Sequence, residues 1–88
     1  MQELIRTRCK QGKLIITEQH IRIELFSLNS QTMLRSTLTG VDTKMVVPSL
    51  FGFGGGSNLT FRGQGGQVLH ADLVQAKAVK QVLTLLEY

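Results

Sequence analysis

Tryptophan is absent from this 88-residue chain, and proline and cysteine occur once each, as Pro48 and Cys9. A single cysteine closes no internal disulfide. Secreted domains of this size usually depend on several such bridges, so a cytoplasmic, reducing compartment is expected. Apolar runs are short, Leu14-Ile15-Ile16 being typical, whereas a membrane-spanning helix needs about 20 such residues. Glu3 and Arg6 interrupt the first apolar stretch, and no charged-then-apolar signal segment is read there. Charged residues make up 18% of the chain, below the roughly 25% of ordinary soluble domains. The surface must therefore draw on Ser, Thr, Gln, Asn and Gly.

Sets of residues that carry chemistry are missing too. His20 and His70 stand alone, and Cys9 has no sequential partner that would activate it. No Cys, His or acidic residues cluster at metal-ligand spacing. The carboxylates Glu18, Glu24, Asp42 and Asp72 are scattered. No metal, no cofactor and no catalysis are expected. Seven of the nine glycines lie between residues 52 and 66, but they do not form a phosphate loop. A Walker loop needs Lys after its last glycine, and Gly56 is followed by Ser57 and Asn58. The dinucleotide pattern from Gly52 and Gly54 would need glycine at position 57. Asn58-Leu59-Thr60 matches a glycosylation sequon, read as a chance match without a signal segment.

What remains is 42% apolar residues in a pattern suited to one domain, residues 1–88, with one modest core. Residues 3–9 alternate: Ile5, Thr7 and Cys9 on one face, Leu4, Arg6 and Arg8 on the other. Gln11-Gly12 marks a turn. Residues 13–17 read as a strand buried on both faces or beside a bulge. After a turn at residues 17–19, Ile21, Ile23 and Leu25 alternate with Arg22, Glu24 and Phe26. Leu28-Asn29-Ser30 is the next turn. Residues 31–36 and 37–47 supply two more strands, with a bend at Gly40, and Pro48 ends the second. Residues 49–58 read as a glycine-rich loop. Leu59 and Phe61 mark a short strand, Gly63 to Gly66 a hairpin loop, and residues 68–71 the last strand. Asp72 is expected to cap a helix, with Gln75 three positions on. Leu73, Ala76, Val79, Val82, Leu83 and Leu86 form its apolar stripe, and Lys77, Lys80, Gln81 and Thr84 its polar one. The expected fold is mainly β with one C-terminal helix, α+β. Seven antiparallel strands form a partly open barrel or sandwich, capped by the helix.

That order resembles the pleckstrin-homology (PH) superfold. Gly12-Lys13-Leu14-Ile15-Ile16-Thr17 through His20-Ile21-Arg22-Ile23 resembles the opening hairpin of bacterial PH-like domains. Thr37 to Asp42 resembles the strand that follows. Asn58 to Phe61 and Val68 to Asp72 resemble the last hairpin and the start of the helix. The resemblance covers nearly the whole chain and implies a binding or assembly module. Three departures matter. His20 stands where Arg is common, and the helix lacks the Trp of eukaryotic relatives. The second strand also lacks the Arg-x-Arg pair used for inositol phosphates, so stereospecific headgroup binding is not implied.

Two features suggest contacts. Arg6, Arg8 and Lys10 share a face of the first strand, and Lys13 follows the turn; together they suit anionic lipid headgroups. The same cations would also serve as a solvated face or as guards of a sheet edge. Leu50, Phe51 and Phe53 lie in the glycine-rich loop and suit a membrane or a subunit contact, or a plug for the barrel end. Net charge is +4. The expected function is a non-catalytic module that self-associates into a homo-oligomer and touches anionic membrane surfaces peripherally. The alternative is a small basic β-barrel that binds single-stranded nucleic acid. Its aromatics do not interleave with the basic stripe, so nucleic acid is the less expected partner.

Overall fold

Period-two alternation of apolar residues builds the first half of the molecule. A computed structural model describes residues 3–26, 29–46 and 56–88. Four strands, β1 (Glu3–Cys9), β2 (Gly12–Thr17), β3 (His20–Leu25) and β4 (Ser30–Leu34), form an antiparallel sheet in sequential order. A 3-10 turn over Arg35–Thr37 leads into β5 (Leu38–Val46). β5, β6 (Gly56–Gly63) and β7 (Val68–Val74) make a second antiparallel sheet, and helix α1 (Ala76–Leu86) follows. The fold is thus mainly β, two antiparallel sheets with one C-terminal helix.

The inward rows meet in a single core. Leu14 and Ile16 of β2, Ile21 and Ile23 of β3, Leu59 and Phe61 of β6, and Val82 of α1 are completely buried. Each such side chain contributes about 1.5–3 kcal/mol by leaving water. Ile15 is also buried, yet on the outer face of the first sheet, outside that core. The register sets it between Arg6 and Arg22, whose aliphatic stems can cover it. The run Leu14-Ile15-Ile16 is therefore buried on both faces, as its composition suggests. Gly40 marks an irregularity in β5, where the register with β6 shifts between Leu38 and Gly40.

Three expectations are corrected. Asp72 does not cap the helix. It lies in β7, held there by the β1–β2 turn: Lys10 N–H donates to its carbonyl at 2.7 Å. Gln11 Nε2 donates to its carboxylate, and its own N–H donates to Gln11 Oε1, both at 2.9 Å. These bonds keep residue 72 extended, and α1 starts only after Gln75, whose side chain makes no cap bond. The buried helix face shifts with the start: Ala78, Val79, Val82 and Leu86 are buried while Ala76 is exposed. Gly56, Ser57 and Asn58 belong to β6, not to a loop. Leu73 explains why: it has a left-handed φ of 57°. Its N–H donates to Asn58 Oδ1 at 3.0 Å, and Gly56 lies so close that a Cβ would stand 2.9 Å from its carbonyl carbon. The sequon asparagine is thus used inside the fold. Arg35 to Thr37 form a 3-10 turn where continuous strands were expected. Arg35 is drawn out of the sheet by donating to the carbonyls of Thr17, Glu18 and Leu85, so it ties the β2–β3 turn to the end of the helix.

α1 ends in a Schellman motif. Tyr88 N–H donates to Leu83 O at 2.9 Å and Glu87 N–H to Thr84 O at 3.3 Å. Glu87 takes a left-handed φ of 62°, a role that glycine fills without strain.

Candidate functional site

The β1–β2 hairpin projects the expected cations from the edge of the first sheet. Arg8 stands opposite Lys13, and Arg6 opposite Ile15, on its outer face. All four of Arg6, Arg8, Lys10 and Lys13 are exposed. The strand ends at Cys9, so Lys10 sits in the turn and does not extend the stripe along the strand. Carboxylates on the same strand and across the sheet alter the electrostatics further. Arg6 donates to both carboxylate oxygens of Glu3, at 3.0 and 3.1 Å, and lies 3.6 Å from Glu24. Arg22, from β3, lies 3.3 Å from Glu24. Arg6 and Arg22 are thus partly neutralised at the middle of the face. Arg8, Lys10 and Lys13 take no ion pair among the described residues. Arg8 opposite Lys13 is a like-charge pair, unfavourable in itself, and it leaves positive potential at the turn end of the hairpin.

That end also carries an aromatic side chain. Phe26 follows β3, and its N–H donates to Gln11 O at 3.3 Å, which places it beside the Lys10-Gln11 turn. Phe26 is 78% exposed, an apolar ring held in water next to cations. Lys13, Arg22, Glu24, Phe26 and Asn29 line an open cleft of about 260 Å³ there. Gly12 lines it too. A Cβ on Gly12 would lie 1.9 Å from Glu24 O, so only glycine permits β2 and β3 to approach this closely. Alternation had placed Phe26 on the polar row of β3; its nearness to the basic turn depends on the bond to Gln11, which no local pattern reveals.

The remaining reactive groups are dispersed. Cys9 is buried, and desolvation pushes its thiol above the ordinary value of 9.0, with a smaller push from the Asp72 charge and opposing bonds from the Gly12 and Gln11 backbone. His20 lies on the first sheet in a cleft of about 230 Å³ with Glu3, Thr17, Arg22 and Thr32, its Nδ1 buried without a hydrogen-bond partner. His70 lies on the second sheet, 3.4 Å from Thr60 Oγ1. No three His, Cys, Asp or Glu side chains come together to hold a metal among the described residues. Leu50, Phe51 and Phe53 lie outside the described residues. Among the described residues, no helix is long and apolar enough to cross a membrane.

Comparison of the chain with family models, curated proteins and solved structures finds no match.

Proposed function

We propose that this chain is a non-catalytic, PH-like binding module that contacts anionic membrane surfaces with the turn end of its first sheet and self-associates. The observation that carries the reading is Phe26, 78% exposed, beside Lys10 and Lys13, cations that take no ion pair among the described residues. An exposed ring flanked by cations suits the headgroup boundary of an anionic bilayer, where the ring enters the apolar layer and each cation near the surface adds about 1 kcal/mol. The order of four strands, three strands and a helix supports the PH-like assignment. The cleft at this end, about 260 Å³, has Glu24 on its wall, which favours charge-driven surface contact over capture of one anionic headgroup. Among the described aromatics, Phe61 is fully buried and Tyr88 donates to Leu38 O, away from the basic turn. One ring beside the cations is a poor stacking platform for a nucleic-acid strand, which needs successive aromatics.

Flotation with vesicles containing phosphatidylserine, against pure phosphatidylcholine, tests the reading. The protein should float with the anionic vesicles only, and rising salt should release it. Arg8→Glu/Lys13→Glu should abolish flotation, and Phe26→Ser should weaken it about tenfold. Binding indifferent to salt and charge reversal, or none at low salt, would remove the membrane reading. Salt-sensitive gel retardation of a single-stranded oligonucleotide without vesicle binding would instead favour nucleic acid.

A further inference from the structure

The second sheet ends in a strand whose residues complement themselves. β5 pairs with β6 on one side, and among the described residues no strand pairs with its other side. Its second half is open to solvent: Asp42, Thr43, Lys44 and Met45 are exposed, Met45 to 79%. Two rows alternate along it. Val41, Thr43 and Met45 stand opposite Phe61, Leu59 and Ser57, the core-facing row of β6. Asp42 and Lys44 stand opposite Thr60 and Asn58 on the outer row. Met45 is therefore an apolar side chain on the core-facing row with little over it.

A free edge this long ordinarily invites pairing, and an edge lysine ordinarily discourages it. In β5 the lysine selects a register. When two copies of the strand run antiparallel about Thr43, Asp42 of each faces Lys44 of the other. In the same register Val41 faces Met45 on the opposite face. Centring the pair on Asp42 would set that carboxylate against its own copy, and centring it on Lys44 would oppose two ammonium groups; both are unfavourable. The register about Thr43 matches charge on one face and apolar side chains on the other at once.

We propose that β5 is the self-association surface, and that two copies of this chain join their second sheets antiparallel across a two-fold axis at Thr43. The proposal rests on the self-associating reading above and names its surface. A symmetric, isologous contact of this kind closes after two chains. The Asp42 bond to Arg62 survives in it, since Arg62 lies across the ladder on β6.

Thr43→Cys in a Cys9→Ala background tests the geometry. Residues directly opposite in an antiparallel pair have Cα atoms about 4.5 or 5.5 Å apart, within the range a disulfide spans. Mild oxidation should give a covalent dimer from Thr43→Cys and not from Thr39→Cys, which lies on the same strand away from the axis. Lys44→Asp should weaken association of the uncrosslinked chain about tenfold, and Asp42→Lys/Lys44→Asp should restore it. Light scattering on the unaltered chain separates the two levels of the claim. A dimer that Thr43→Cys does not trap, equal trapping through Thr39→Cys, or a charge swap that fails to restore association would overturn β5 as the surface and leave self-association standing. A monomer at high micromolar concentration would overturn both.

Discussion

Gly12→Ala should be among the most destabilising single substitutions in this molecule. Gly12 has a φ of 151°, a conformation that side chains rarely adopt, and an added Cβ would stand 1.9 Å from Glu24 O and 3.0 Å from its carbonyl carbon. A carbon–oxygen contact needs about 3.3 Å. The obstacle is backbone, so no rotamer relieves it. β2 or β3 must shift, and the shift opens the pairings of Gly12 with Cys9 and with Leu25. Strained φ costs about 1–3 kcal/mol and forced repacking about as much again, so a loss of about 3–5 kcal/mol is expected. A chain of 88 residues has a total stability of about 4–13 kcal/mol at the usual value per residue. The variant should therefore melt at least about 12 °C lower, or fail to fold. Urea unfolding followed by circular dichroism measures the loss. Gly40→Ala is the internal control, because a Cβ at Gly40 meets nothing within 4 Å, and it should change stability by less than about 0.5 kcal/mol. A Gly12→Ala variant within about 1 kcal/mol of the parent would refute the close β2–β3 approach.

Two further substitutions probe the ends of the chain's logic. Glu87→Gly should raise stability by about 1 kcal/mol, because Glu87 holds the left-handed C-terminal position of α1 and glycine takes it without strain; unchanged thermal unfolding would show that the Schellman geometry is absent in solution. Cys9 should be silent to Ellman's reagent at pH 8 in the folded chain and react in step with unfolding as urea rises. Its burial raises the folded thiol above 9.0. The folded state thus keeps a proton that the unfolded state loses, and the associated stability is complete below pH 9 and fades as pH climbs through the folded value. Cys9→Ala should flatten that alkaline decline, and an equal decline in both chains would contradict the assignment.

Legibility from the sequence followed the range of the interactions. Strands whose apolar residues alternate, such as Ile21 and Ile23 against Arg22 and Glu24, were readable because side-chain period and burial coincide. Ile15 was readable for the opposite reason, since a run of three apolar residues leaves no exposed face. Asp72 was misread because its local setting, with Gln75 three residues on, imitates a cap. Its actual partner is Gln11, distant in the chain and adjacent only once β1 meets β7. Gly56 to Asn58 resembled a loop by composition, yet Gly56 is required for close packing against Leu73. Of the basic stripe, Arg6, Arg8 and Lys13 were legible as an exposed face, whereas Lys10 falls in the turn. The approach of Glu24 to Arg6 was not legible, because it depends on the register of β1, β2 and β3. Asp42, Thr43 and Lys44 carry no signal in the sequence by themselves, and they acquire meaning only because β5 is an edge among the described residues.

Membrane contact through Phe26 can be read directly, because the chain contains no tryptophan and Phe26→Trp would be its sole indole. Emission should shift to the blue when vesicles containing phosphatidylserine are added, remain unshifted with phosphatidylcholine alone, and return toward the aqueous value in high salt. An indole that stays fully aqueous in the presence of anionic vesicles would contradict insertion at the β1–β2 end and, with it, the proposed function.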